Sequence, residues 1–596
     1  MSAQRAATAS AKQVTKRNFA EAVRELGAHL EACDYVAVAA QKTGAPTGWR
    51  RALPVDTAET AYLKAKLAAE SFQPLQIAVC PFRLHASPSK LVAYPDELQL
   101  GMPSYSFSCQ SSYLSNMAND GFDFNMCIYD GISYLSRVQE SLARQKIFTP
   151  QLRQLLPSAS TSVADSVFMT RIKSRIVHWR KGYLEPSKTA DGSLVSSLSK
   201  LIFGGESYGS RPSMSIDVCS DRQVQLVLEA VNLISDDLVP LVVPDKAGAA
   251  RAVRLVFTSS KEDKNLLLMD IKKSEEEQNF KFRGFREVID LLSSSQKPII
   301  SYNCLNELTM VHSKFVAPLP SNMHEFMCSL RMVFSNVVDI SHMWREIGPL
   351  RKAKNIQAAL SYLQKQYLPM EIEIPHQGVV PAIIRHTKHG TSSITKNEQN
   401  VLRITKLFGK LSNLLKINPY HQLQSGEQCS TVEEYCNIFY PSCDEDSDDV
   451  DTAKAVSSNN VVFLWGFRSK SVKELRSDLT GLHHAFSEDF EIKLLDKTCS
   501  ALIFRSSDTA MKLLREISSE NPSLNSFFSE GLQAAGFEVY RKVCRLGLWD
   551  SDLAEALENA LSELAVLTDS TLSERSTSQM YWNSSLMLDL KEYLEP

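Results

Sequence analysis

Short apolar runs alternate with stretches of helical spacing over the first two thirds of the chain, and few architectures accommodate that rhythm. In NFAEAVRELGAHLEACDYVAVAA (18–40), Phe19, Val23, Leu26 and Leu30 recur at helical intervals before an apolar strand at 35–39. LQIAVCPFRL (75–84) and KLVAYP (90–95) predict neighbouring strands of the same sheet. KPIISYNCL (297–305) predicts a further buried strand followed by a helix through 308–315, and NVVDISHMW (336–344) repeats the strand-to-helix pattern. Strands interleaved with helices predict an α/β fold.

Length and composition set the rest of the frame. At 596 residues, 44% hydrophobic and 22% charged, the chain can build several cores of about 100–200 residues each. The apolar runs near 238–243 and 460–467 fall well short of the ~20 residues of a membrane-spanning helix. The twelve cysteines include no Cys-x-x-Cys pair, which argues against a zinc knuckle or a disulfide scaffold. Cys429, Cys436 and Cys443 repeat every seven residues, without histidines nearby to complete a metal set.

Breaks in the pattern divide the chain. Residues 1–17 carry Arg5, Lys12, Lys16 and Arg17 with no acid before Glu21, the composition either of a flexible tail or of an organelle transit peptide. Nucleus, cytoplasm and mitochondrion all stay open. Residues 18–160 and 250–420 form a split α/β domain, and 161–249 is an insertion interrupted by GGESYGSRPS (204–213). A linker at 421–458 holds six acids between Asp444 and Asp451; without them the formal charge of −3 becomes +3. VVFLWGF, SVKELRSDL, FEIKLLD, SALIFRS and DTAMKLLREI follow within 459–520, a strand-helix-strand-strand-helix order that matches the early part of an RNA-recognition fold. A helical tail occupies 521–596, with SDLAEALENALSEL (551–564) as its clearest element.

The segments NFAEAVRELGAHLEACDYVAV, VDTAETAYLKAKLAAESFQPLQIAVCPFR, GFDFNMCIYDGISYLSR, ISYNCLNELTMVHSKFVAPLP and FSNVVDI together resemble the poly(A)-specific ribonuclease family, and most closely its plant PARN-like branch. The resemblance covers nearly all of 18–420. It implies a ribonuclease H-like DEDD nuclease domain of the CAF1 superfamily, with a small Arg-His nucleic-acid-binding domain inserted and an RNA-recognition (RRM-like) domain appended. It further implies removal of adenosines from RNA 3′ ends with Mg²⁺, poly(A) as the RNA, and a homodimer or a mixed dimer with a related deadenylase.

Hydrolysing a phosphodiester between two metal ions about 4 Å apart needs converging carboxylates. The family carries an Asp-x-Glu on its first strand, where period-two alternation puts both acids on one face. Laid on that motif, VAVAAQKTG offers Ala39 and Gln41. Alanine has no ligand atom and glutamine only a neutral oxygen, poorly suited to Mg²⁺. Glu307 stands at the family's third acid, one methylene longer than the Asp it replaces. Counting back from ITKLFGKLSNLL (404–415) puts Lys396 and Val401 at the general-base and last-ligand positions, although KHGTSSITKNEQNVLR can slip to offer His389 or Glu398. Four positions degraded together fit a natural loss of catalysis; the competing reading assembles Asp34, Glu307, Asp339 and Glu398 into a rearranged site.

Two places suit RNA. In FMTRIKSRIVHWRKGYL (168–184), Arg171, Arg175 and His178 share one helical face and Ile172, Ile176 and Trp179 another. The basic stripe suits phosphate contacts or is an ordinary charged face. In VVFLWGF, Phe463, Trp465 and Phe467 point one way; Trp465 and Phe463 are the candidates for base stacking, unless the phenylalanines are core. No Gly-x-Ser-x-Gly elbow is present, and GFRSKS (466–471) lacks the glycines of a phosphate-binding loop. Three hypotheses follow: an RNA-binding pseudonuclease, an active Mg²⁺-dependent 3′–5′ exoribonuclease, and a structural adaptor without RNA affinity.

Overall fold

The computed structural model of the chain describes residues 11–85, 90–142, 162–184, 207–244, 250–366, 370–375, 396–417, 431–439, 457–518 and 531–566, apart from a few positions within these stretches. Residues Leu135–Gly284 cluster as a unit apart from the chain on either side.

The larger unit is built on strands β1 (Lys12–Val14), β2 (Tyr35–Lys42), β3 (Pro74–Leu84), β4 (Lys90–Ala93) and β5 (Asp96–Gln99). The helix Phe19–Ala32 precedes β2 and buries Phe19, Val23, Leu26 and Leu30, the residues spaced for it. The first strand lies inside the segment expected to be a tail. It pairs in parallel with β5, Lys12 beside Asp96 and Val14 beside Leu98, and Arg17 Nε donates to Asp130 Oδ1 at 2.8 Å. Residues 12–17 thus belong with the sheet and its surroundings, within the segment 1–17 expected to be a tail or transit peptide.

The inserted unit carries the helix Val163–Leu184, then β6 (Ser207–Tyr208), β7 (Arg211–Asp217), the helix Asp221–Ile234, β8 (Leu238–Pro244), β9 (Ala250–Phe257) and the helix Lys261–Arg283. Its sheet runs β6-β7-β9-β8. Ile172, Ile176 and Trp179 pack with Ile216, Val227 and Leu255 in its core. The unit is longer than 161–249 because β9 and the helix after it belong to it.

On returning, the chain adds β10 (Ile299–Ser301), β11 (Val337–Asp339) and β12 (Glu371–Glu373). The sheet order is β1-β5-β3-β2-β10-β11, with β4 on β3 and β12 on β4. The strands β10 and β11 run parallel to β2, whereas β3 is antiparallel to it. Tyr35, Ala37 and Ala39 of β2 face the helix Lys396–Leu414, where Val401, Ile404, Leu407 and Phe408 are fully or nearly fully buried. The Phe408 ring lies 4.8 Å from Tyr35 and 5.7 Å from Phe82. Each such side chain contributes about 1.5–3 kcal/mol of burial energy. Part of the expected linker is pinned here too, for Cys436 bridges to Val338 of β11 and Tyr435 packs on the same core. The acidic run 444–451 lies outside the described residues.

A second sheet in this unit holds β13 (Val461–Trp465), β14 (Phe490–Leu494), β15 (Cys499–Phe504) and β16 (Gln533–Gly536), ordered β14-β15-β13-β16 with every pair antiparallel. With helices Val472–Thr480 and Ser507–Ser518 this is a β-α-β-β-α-β unit, and it ends with β16 beyond the boundary expected at 520. The two helices cover Val462, Leu464 and Phe467. Phe467 thus belongs to that core instead of sharing a face with Phe463 and Trp465; the strand ends before it, at Gly466, whose φ of +90° breaks the alternation.

The opposite face is covered as well. Phe463 stacks on Tyr540 of the helix Phe537–Leu546 with centroids 4.5 Å apart, and Trp465 donates its Nε1–H to Glu558 of the helix Leu553–Val566 at 3.0 Å. These helices also reach the first sheet's surroundings. The Tyr540 hydroxyl donates to Asp56 Oδ1 at 2.6 Å, just before the helix Ala58–Ser71. Asp56 also takes Lys64 Nζ at 2.9 Å, both side chains being almost wholly buried, and Trp49 stacks on Trp549 at 5.3 Å.

Candidate active site

The C-terminal end of β2 and the start of the helix Cys304–Val311 bring the sequence-nominated positions into view. Ala39 is 8% exposed and belongs to the apolar cluster under the helix Lys396–Leu414. Gln41 follows two residues on, opposite Gln76 of β3. Its amide oxygen is enclosed and has no hydrogen-bond partner among the described residues.

Glu307 lies in the first turn of the helix Cys304–Val311, whose N-cap Asn303 adopts a left-handed φ of 57°. Glu307 Oε1 pairs with Lys42 Nζ at 2.7 Å, with side chains 15% and 17% exposed, while Glu307 Oε2 is enclosed without a partner. Lys42 was missed in the sequence, although it directly follows Gln41 and a cation beside vanished carboxylates was the available signal.

Asp339 is fully buried at the end of β11. It accepts the Cys304 N–H at 3.1 Å, the Ser341 N–H at 2.9 Å and the Ser341 hydroxyl at 2.6 Å, capping the helix Ile340–Arg345. Burial pushes its carboxyl upward, against the pull of these three donors. Asp34 precedes β2 at its other end, roughly seven residues and ~23 Å of strand from Gln41, and lies 3.8 Å from Arg83. Asp34 is thus not brought to the C-terminal end of β2, whereas Glu307 and Asp339 both lie by Cys304 at the start of the helix Cys304–Val311. Val401 is fully buried among apolar side chains. The side chains of Lys396 and Glu398, and all of His389, lie outside the described residues.

No group of three or more His, Cys, Asp or Glu able to hold a metal ion occurs among the described residues. At the positions nominated from the sequence, and among the described residues, the donors do not fit a divalent cation while Lys42 holds Glu307: the others are an alanine in the core, a neutral amide and a core valine.

The residues nominated for RNA separate. Arg171 and His178 are exposed on the helix Val163–Leu184, whereas Arg175 is half-buried and donates to the Ser215 carbonyl at 3.4 Å. Trp465 is 1% exposed and Phe463 fully buried. Neither offers a face to a base, because the helices between 537 and 566 lie over the platform they were expected to form.

The model of the CAF1 family ribonuclease domain matches residues 14–457. The chain belongs to the CAF1 ribonuclease family. Within that family, the Arabidopsis thaliana protein called poly(A)-specific ribonuclease PARN-like is 42% identical over 608 aligned positions, covering 98% of this chain and 96% of the relative. The Arabidopsis poly(A)-specific ribonuclease PARN is 26% identical, covering 89% and 85%. The resemblance read from the sequence segments is thereby established. A solved structure described as the Mg²⁺- and Mn²⁺-bound form of S. pombe Pop2p covers 73% of this chain and all of its own, at 10% identity and a TM-score of 0.32, too distant to argue from. No described helix of this CAF1 family member is long and apolar enough to cross a membrane.

Proposed function

We propose that this protein is an RNA-holding member of the poly(A)-specific ribonuclease branch whose own nuclease centre is degenerate, and that it shields poly(A) tails or damps an active relative through mixed dimers. The observation that carries the reading is the pair Ala39 and Gln41, neutral side chains where the family strand presents two carboxylates. Without those charges, Glu307, already paired with Lys42, cannot balance two divalent cations.

RNA is held, on this reading, by the inserted unit acting as the Arg-His-type domain. Arg171, His178 and Lys181 recur on the exposed side of the helix Val163–Leu184, a spacing that suits successive phosphates. The β-α-β-β-α-β unit has the strand order of an RNA-recognition fold, and its sealed sheet makes it a docking module instead of a base-stacking one.

The test is incubation of the full-length protein with 3′-tailed oligo(A) and Mg²⁺ or Mn²⁺, following product length alongside binding by fluorescence anisotropy. Binding without shortening supports the proposal. Shortening that disappears in Glu307→Gln establishes the active exoribonuclease instead, and absence of both binding and shortening leaves the adaptor.

A further inference from the structure

We infer that Lys42 is the resident cation of this site, its ammonium standing where the family places a divalent metal ion. The inference rests on the degenerate-centre reading above and gives that loss a physical device.

Three observations converge. The Lys42 ammonium is 2.7 Å from Glu307, the one carboxylate left at the family positions, and both side chains are largely buried. Two acceptor oxygens, Glu307 Oε2 in the same carboxylate and Gln41 Oε1 on the residue before Lys42, are enclosed without a hydrogen-bond partner among the described residues. Finally, the ladder between β2 and β3 shifts register between Gln41 and Lys42, with Gln41 opposite Gln76 but Lys42 opposite Pro74. A register irregularity re-aims a strand side chain, which frees Lys42 from the strict alternation that sets Ala39 and Gln41 on one face.

Glu307 cannot serve both cations. A divalent ion bound through its carboxylate would lie within a few ångströms of the ammonium, in a site with little water to screen the repulsion. The lysine is tethered, needs one counter-charge instead of four, and does not dissociate. It therefore keeps the strand end and the helix start together with no metal, and excludes metal even where some ligands are restored.

The experiment reads Mn²⁺ binding by electron paramagnetic resonance and thermal midpoints on the full chain. Lys42→Met is expected to lower the midpoint, and Mn²⁺ then to raise it in K42M but not in the wild type or in K42M/E307Q. In a background carrying A39D and Q41E, adding K42M is expected to tighten Mn²⁺ binding by about tenfold or more, the size of effect seen when a group beside a metal's ligands is changed. The inference is overturned if Mn²⁺ shifts K42M and the wild type equally, a comparison that holds even where the A39D variants fail to fold. Shortening of oligo(A) by the wild type would instead sink the degenerate-centre reading, so the two failures are distinguishable.

Discussion

Replacing Lys64 with methionine removes the counter-charge of Asp56 without emptying the space that the side chain fills. Asp56 Oδ2 takes Lys64 Nζ at 2.9 Å and the Leu53 N–H at 2.6 Å; Oδ1 takes the Tyr540 hydroxyl at 2.6 Å and the Thr60 hydroxyl at 3.2 Å. The side chains are 0% exposed for Asp56 and 2% for Lys64. Stripping one partner from a buried pair destabilises by about 3–5 kcal/mol, and three surviving neutral donors put K64M at the lower end, near 3 kcal/mol. Removing both charges in D56N/K64M should restore most of that loss, about 2 kcal/mol relative to K64M. Tyr540→Phe deletes one bond to a carboxylate and should lose about 1.5–3 kcal/mol. Trp49 and Trp549, stacked 5.3 Å apart, report on this junction, so urea denaturation followed by tryptophan fluorescence is the assay. The reasoning fails if K64M and D56N/K64M have the same midpoint, because Asp56 would then not be stranded by loss of the lysine.

Four further outcomes are expected. Burial pushes the Asp96 carboxyl up to about 7, so between about pH 4 and 7 the native chain holds a proton that the unfolded chain has released, and stability falls as pH rises through that window, at up to ~1.4 kcal/mol per unit; Asp96→Asn should flatten that fall in urea midpoints. Trp465→Ala should leave oligo(A) affinity unchanged while destabilising by about 3–5 kcal/mol, as for any large buried aromatic, and a selective loss of RNA binding would contradict the sealed sheet. Arg171→Glu should weaken oligo(A) binding and lower its salt slope by about one, whereas an unchanged slope measured by anisotropy would remove that helix from the interface. Val401→Asp, which puts an acid at the last-ligand position counted from the sequence, should give insoluble or molten protein by near-ultraviolet circular dichroism, since it buries a charge among apolar side chains.

What the sequence disclosed depended on whether the deciding contacts are local. The helix Phe19–Ala32 announces itself through its own apolar spacing. Ala39 and Gln41 were nominated only by laying this strand on the Asp-x-Glu of the family it resembles, since their own side chains carry no sign of a site. β1 was hidden because a three-residue Lys-Gln-Val strand has no pattern of its own; it is a strand because Asp96, Glu97 and Leu98 pair with it. β16 was hidden likewise, since Gln-Ala-Ala-Gly carries little strand propensity and is held by β13. The burial of Trp465 depends on Glu558 and its helix, far along the chain, so an exposed platform was the natural expectation. The Lys42 to Glu307 contact joins two elements that only the folded sheet brings together.

The pairing of β1 with β5 also limits where the N-terminus can be cut. A protease that stopped before residue 11 would leave the sheet closed on that side. Trimming past Val14 would bare the backbone amides and carbonyls of β5, an unprotected sheet margin of the kind that recruits other chains into aggregates. Truncations designed for crystallisation or activity assays should therefore begin no later than Ala11.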